Sequence, residues 1–249
     1  MQLRQNSRRQ ASMRGLSLVE LMVGIAVSLF IVAAAALLTS TQLTENRRLL
    51  LETQLQQDLR ATADIVTREL RRSSFWHEAP AGVPAPLGGN VVPNAFEAVS
   101  VTTGTSSEVI YRYWRINAVE VFGFRLNNAG VIQSCQTNDS EAGGPCTTVP
   151  WQDLTDGRTM VVTDFQIDDE RTGLSANNDL VTLPCSAPCS DGTASCWPKV
   201  GVREFTIQIT ARSRAFPEVQ RTLNSSVRVR NDRVLFSSEA AANSACPAS

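Results

Sequence analysis

The chain is poor in the residues on which most catalytic and metal sites depend. His77 is the only histidine among 249 residues, so a catalytic triad or a histidine-based metal centre would have a single possible location. No Gly-x-Ser-x-Gly elbow and no glycine-rich phosphate loop occurs. We therefore expect a protein that is not an enzyme and that has neither catalytic residues nor cofactors.

An excess of charge of one sign is also lacking. The formal net charge is -1, which offers no general basic field to nucleic acid, so we expect no nucleic-acid partner. The charge is nevertheless uneven, because residues 1–15 contain four arginines and no acidic residue. A basic segment in front of an apolar run is expected to stay in the cytoplasm.

Helix-breaking residues are missing from a long stretch. There is no proline before Pro80 and no glycine between Gly24 and Gly82. The stretch predicts one helix from about Leu16 to about Arg72. An apolar stripe with spacings of three or four indicates that its second half packs on the protein's own sheet, with a coiled coil as the alternative. The stripe consists of Leu51, Leu55, Leu59, Ala63, Val66 and Leu70.

The first part of this helix is a run of 23 apolar or small residues, 16–38, with one charge, Glu20. It is long enough to span a bilayer and longer than the apolar core of a secretory signal. Three interpretations are possible. The run is a secretory signal cut near Ala36, an uncut membrane anchor, or the start of a mature chain whose leader is cut where the run begins. A carboxylate inside a membrane helix costs on the order of several kcal/mol. Only a cut after Gly15 gives this carboxylate a role. The new amine of Leu16 then lies one helical turn from Glu20, which can neutralise an N-terminal amine, either its own or that of a neighbouring subunit.

The segment Arg14-Gly15-Leu16-Ser17-Leu18-Val19-Glu20-Leu21-Met22 resembles the N-terminal motif of type IV pilins and pseudopilins. The resemblance implies that a prepilin peptidase cuts after Gly15 and methylates Leu16, and that Glu20 is needed for subunit docking. The family commonly has Phe or Met where this chain has Leu16. The resemblance also implies a long helix whose second half lies across a globular β domain.

After residue 94 the apolar pattern changes to a period of two, which is typical of strands with one covered face. The pattern predicts an antiparallel sheet and long polar loops at 136–150 and 168–179. Together with the helix, it predicts an α+β fold in which a long N-terminal helix packs on an antiparallel β domain. The strand candidates are 108–116, 118–126, 161–168, 205–212 and 227–230.

We expect five segments along the chain: a cleaved leader (1–15), the transmembrane half of the helix (16–38), its amphipathic half (39–75), a β domain (76–236) and a tail (237–249).

All six cysteines lie in the C-terminal half. In an exported chain an even number predicts disulfides, and the spacing of Cys185, Cys189 and Cys196, with no histidine near, fits no common zinc site. Cys135 and Cys146 flank a Gly-Gly-Pro loop and are natural partners. The remaining four, which include Cys246, leave three connectivities open.

Two further patterns have ordinary explanations. Acidic and amide residues between Asp168 and Asp179 could attract calcium, but they lack a regular ligand spacing, so a solvated loop without metal is expected. Basic and aromatic residues alternate from Tyr111 to Arg115, and their strand setting favours sheet and core positions over nucleic-acid binding.

Over the whole chain the resemblance is closest to PilW-type minor pilins. It implies a subunit that primes or caps a type IV pilus, with other minor and major pilins, the prepilin peptidase, an inner-membrane assembly platform and membrane lipid as partners. The expected location is the bacterial inner membrane, with the β domain in the periplasm, and then the pilus or cell surface. There are two alternatives. The first is a minor pseudopilin of the J type in a type II secretion system, and the second is a membrane-anchored binding module or adhesin without a fibre.

Overall fold

A computed structural model describes residues 15, 17–83, 91–102, 108–116, 118–138, 146–147, 150–169, 180–236 and 246–247. The chain forms two compact units, Met1–Leu49 and Leu50–Ser249. One long helix, α1 (Leu18–Arg72), precedes a short 3-10 turn at Ala79–Gly82. Eleven strands follow in the described residues: β1 Val99–Thr102, β2 Glu108–Arg115, β3 Ala118–Leu126, β4 Ile132–Asn138, β5 Gln152–Asp153, β6 Met160–Asp169, β7 Val181–Thr182, β8 Lys199–Gly201, β9 Glu204–Ser213, β10 Gln220–Arg228 and β11 Arg233–Leu235.

The strands form three antiparallel sheets. The largest runs in the order β1-β2-β3-β4-β5, and each strand pairs with the next along the chain. The second has the order β10-β9-β6, with an irregularity in β6 between Val162 and Asp164. The third contains the short strands β11-β8-β7. The helix and the antiparallel sheets confirm the predicted α+β fold.

The core lies between the second half of α1 and the sheets. Leu59, Val66 and Leu70 are at most 1% exposed, and they join the side chains that alternate inward from the long strands. Thr62 is buried in the same stripe, because its hydroxyl donates to the Asp58 carbonyl oxygen at 2.8 Å within the helix. The predicted packing of the amphipathic half on the protein's own sheets is confirmed.

Four predicted strands match β2, β3, β6 and β9 closely, and the fifth had wrong bounds. Only residues 227 and 228 of the predicted segment 227–230 belong to a strand, and they form the end of β10, which begins at Gln220. The Arg230 N–H donates to the Arg71 carbonyl oxygen at the end of α1, which draws the chain away from the sheet. The predicted polar loops also begin too early, because residues 136–138 belong to β4 and pair with β3, and Asp168–Asp169 belong to β6.

The carboxyl end of α1 is fixed by polar contacts. After Arg72 the chain turns at Ser74, whose φ is 63°. The Ser74 carbonyl oxygen accepts hydrogen bonds from the side-chain amides of Asn94 and Asn231, at 2.9 and 2.8 Å. These bonds join the turn that follows the helix to two distant loops.

Candidate functional site: the exposed half of the long helix

Every side chain from Leu18 to Leu50 is exposed in the chain by itself. The large apolar residues of this segment range from 52% exposed (Ile25) to 78% exposed (Phe30). A continuous apolar surface of this extent is not stable in water. By length and composition α1 can cross a membrane.

The hydroxyl groups in this half-helix are satisfied within the helix. Ser28 donates to the Ile25 carbonyl oxygen at 2.9 Å, and Thr39 donates to the Ala35 carbonyl oxygen at 2.9 Å. Hydroxyls bonded to the preceding turn can enter hydrocarbon without an unpaired polar group. The Glu20 carboxylate differs from them, because no hydrogen bond or ion pair involves it among the described residues.

Glu20 lies in the first turn of α1. The Leu21 N–H donates to the Ser17 carbonyl oxygen at 3.0 Å, so helical bonding starts immediately after the expected cleavage point. The free N–H groups of a first turn favour a negative charge nearby. Leu16, which is expected to carry the new amine, lies outside the described residues.

Gly15 is exposed, and a Cβ atom placed on it would meet no atom within 4 Å. Packing against the described residues therefore does not require glycine at this position.

The six cysteines form three disulfides. Cys135 bonds to Cys146, Cys185 to Cys246, and Cys189 to Cys196, with Cα–Cα distances of 5.9, 5.6 and 5.7 Å. The cysteines are thus in bonds rather than in a metal site.

The small loop closed by Cys189 and Cys196 is organised around Asp191. Its carboxylate accepts hydrogen bonds from the hydroxyl and the N–H of Thr193 and from the Ser195 hydroxyl, at 2.7 to 2.8 Å. These donors, with the Thr193 hydroxyl first, lower the pKa of Asp191.

The remaining candidates occupy structural positions. The His77 ring stacks on Trp114 with 4.3 Å between centroids, and its Nε2 atom lies 3.8 Å from the Glu78 carboxylate. In the part of the chain that the structure describes, no three His, Cys, Asp or Glu side chains are placed to hold a metal ion. Most of the acidic segment considered for calcium, residues 170–179, lies outside that part.

A family model described as prepilin peptidase-dependent protein B, PpdB, matches residues 48–229. The chain belongs to this family. The matched residues of this PpdB-family chain include strands β1 to β10 and leave out Gly15 to Glu20, so the family match and the N-terminal motif support a pilin-related protein independently. Comparisons with curated proteins and with solved structures find no match.

Proposed function

We propose that this PpdB-family protein is a minor pilin that takes part in type IV pilus assembly, in a priming or tip complex. The supporting observation is the helix α1, whose second half buries one apolar stripe in its own domain and whose first half exposes apolar side chains from Leu18 onward. Lipid would cover this half before assembly, and helices of other subunits would cover it in the fibre. The role is structural and not enzymatic.

The subgroup within the pilins belongs to the same proposal. The chain's length, the leucine-rich helix that ends in Arg71-Arg72, and the segment Val227–Asn231 resemble PilW-type minor pilins. We infer an inner-membrane protein with a single span at 16–38 and a β domain in the periplasm. The three disulfides suit that oxidising compartment.

Glu20 would set the register of docking. Its carboxylate would accept a charge-assisted hydrogen bond from the N-terminal amine of a neighbouring subunit, in surroundings that strengthen the pair. A subunit docked out of register would leave the carboxylate unpaired, which costs on the order of several kcal/mol in hydrocarbon. Correct register is thereby favoured.

Processing can be tested by mass spectrometry of the mature protein. We expect a chain that begins at Leu16 with one methyl group on its amine. The variant Gly15→Val should stay uncut, and the fold should be unchanged because this position is open. A wild-type chain that keeps Met1, or that begins near residue 37, would contradict the assignment.

Docking can be tested with Glu20→Ala. The variant should enter the membrane and be processed, but it should no longer co-purify with other pilins. Glu45→Ala is the matched control, because Glu45 is also an exposed carboxylate on α1. If Glu20→Ala assembles as the wild type does, the fibre role is wrong and the anchored binding module or adhesin becomes the better proposal.

A minor pseudopilin of the J type is the second candidate, because dependence on prepilin peptidase is common to pili and type II secretion fibres. Deletion of the gene separates the two. Loss of pili supports the pilus, whereas accumulation of undelivered exoproteins with normal pili supports the secretion fibre.

A further inference from the structure

A groove runs beside the second half of α1, on a flank next to the buried stripe. Five helix residues at spacings of four, three, four and four lie on this flank and form one wall. Two adjoining cavities of about 340 and 630 Å³ make up the groove, and both are lined by Ile65. We call it the α1 groove; its helix wall consists of Gln54, Asp58, Ala61, Ile65 and Glu69, and Thr62 of the buried stripe also lines the first cavity.

The opposite wall comes from distant parts of the chain. The loop Leu154–Met160 faces the first cavity, and residues of β3, β4 and β5 face the second. The helix wall from Gln54 to Glu69 is about 22 Å long at a rise of about 1.5 Å per residue. No local sequence pattern predicts this groove, because its two walls lie between 53 residues (Glu69 to Phe122) and 106 residues (Gln54 to Met160) apart along the chain.

The groove exists because one helix cannot cover a wide sheet. Strands are spaced by about 4.8 Å and a helix is about 10 Å across, so a five-stranded sheet extends beyond it. Ile65 is 41% exposed, whereas Val66 beside it is 0% exposed. Apolar surface from Ala61, Ile65 and Phe122 therefore stays open along the groove.

Two carboxylates line the first cavity. Asp58 lies on the helix wall and Asp156 on the opposite wall. Hydrogen bonds from the Arg158 N–H and from its side chain lower the pKa of Asp156. The Arg158 Nε atom lies 3.3 Å from the Asp156 carboxylate, but this side chain is 92% exposed, so water screens the ion pair. Among the described residues no ion pair involves Asp58. At the other end of the groove, Glu69 is already paired with Arg72 at 3.0 Å.

We propose that the α1 groove docks a neighbouring pilin-like subunit, which inserts an arginine or lysine side chain between Asp58 and Asp156 and packs an apolar side chain on Ile65. An open groove with an apolar middle and one acidic end fits a polypeptide segment with basic and apolar side chains in a row. The inference rests on the proposed assembly with other pilins. It adds a contact that lies in the folded domain and is separate from Glu20.

The test uses the full-length protein in its own membrane, with a photo-crosslinking residue at position 54. The wild type should form a cross-link to another pilin-like subunit. Asp58→Asn with Asp156→Asn removes both charges without a change of shape, and it should reduce the cross-link about tenfold or more. Raised salt should weaken the wild-type cross-link in the same direction.

Asp64→Asn is the matched control. Asp64 is an exposed aspartate on the same helix but does not line the groove, so its substitution should leave the cross-link unchanged. Equal unfolding midpoints for all variants would exclude a folding defect. A wild-type cross-link yield in the double variant, an equal loss in Asp64→Asn, or a cross-link only to a second copy of this chain would each overturn the inference.

Different experimental results would contradict the groove inference and the proposed function. If Leu16 is processed and Glu20→Ala blocks assembly while the double variant assembles normally, only the groove inference is wrong. If Leu16 is not processed, the fibre assignment itself is wrong.

Discussion

Tyr111 and Tyr113 are two residues apart on β2, and both side chains face the core. Their hydroxyls nevertheless lie in different surroundings. Tyr113 donates a hydrogen bond to the Glu69 carboxylate at 3.4 Å. Tyr111 is 0% exposed, and its hydroxyl has no hydrogen-bond partner among the described residues. Burial raises the pKa of both side chains, and it raises that of Tyr111 well above the ordinary value.

Removal of the two hydroxyls should therefore have different effects. At pH 7 we expect Tyr111→Phe to leave the free energy of unfolding unchanged or to raise it by up to about 1 kcal/mol, because a buried unpaired group is removed. Tyr113→Phe should lower it by about 1 kcal/mol, because a hydrogen bond is lost. Urea unfolding in detergent measures both. A loss of about 1 kcal/mol in Tyr111→Phe would show that its hydroxyl has a partner.

The raised pKa values of Tyr111 and Tyr113 also predict how the free energy of unfolding changes at alkaline pH. A pKa that is raised in the folded state means that stability is complete below about pH 10 and falls as the pH rises further, because the unfolded tyrosine loses its proton first. Tyr111→Phe should therefore make stability less dependent on pH above about 10 than it is in the wild type.

The sequence predicted that both tyrosines lie in the sheet and core, but it did not predict the hydrogen-bond partner of Tyr113. Alternation along β2 predicted that the segment belongs to the sheet and core, and the burial of Tyr111 and Tyr113 confirms it. Glu69 is 44 residues from Tyr113, and no local pattern relates the two. At Gly15 and Glu20 the roles remain predictions, because they depend on proteins outside this chain.

At the scale of elements, α1 contains two kinds of leucine. Leu59 is 1% exposed in the core of the second unit, whereas Leu50, nine residues earlier, is 71% exposed. Both have the same side chain and the same helical setting. The difference in exposure shows where α1 stops contributing to the core of the second unit.

Alanine at these two positions should separate folding from assembly. Leu59→Ala should lower the free energy of unfolding by about 2–5 kcal/mol, because it leaves a cavity. Leu50→Ala should change it by no more than about 0.5 kcal/mol. Denaturant unfolding followed by tryptophan fluorescence measures both. Equal losses would mean that Leu50 also contributes to the core.

The long elements were predictable because their apolar spacing is regular over many residues. This holds for α1 and for β2, β3, β6 and β9. Strand β4 has the sequence Ile-Gln-Ser-Cys-Gln-Thr-Asn, which is almost entirely polar, and its pairing with β3 determines it. The strands β5, β7, β8 and β11 have two or three residues each, too few for a period to be visible.

At the scale of the whole molecule, the disulfides close loops of very different size. Cys185 and Cys246 are 61 positions apart, while Cys189 and Cys196 are 7 apart. The sequence left three connectivities open for these four cysteines, because spacing alone does not reveal which residues the fold brings together.

Removal of the disulfide that closes the larger loop should lower the free energy of unfolding more than removal of the other. In the chain-entropy account, removal of the Cys185–Cys246 bond by double serine substitution costs about 4 kcal/mol, and removal of Cys189–Cys196 costs about 2.5 kcal/mol. Urea unfolding of the two double variants under oxidising conditions measures the difference. The reverse order would show that the small loop, organised around Asp191, supports more of the fold than its length implies.

The apolar half of α1 also limits how such a subunit could leave a bilayer in the proposed assembly. In the proposed assembly this segment would leave the bilayer by direct exchange, with neighbouring helices replacing lipid tails, because its apolar surface is not stable in water. Hydrocarbon tails and packed helices are similar solvents for leucine and valine, so the two states differ little in free energy for this segment. In the proposed assembly, the exchange of lipid for neighbouring helices would therefore neither drive nor oppose the movement of this segment strongly.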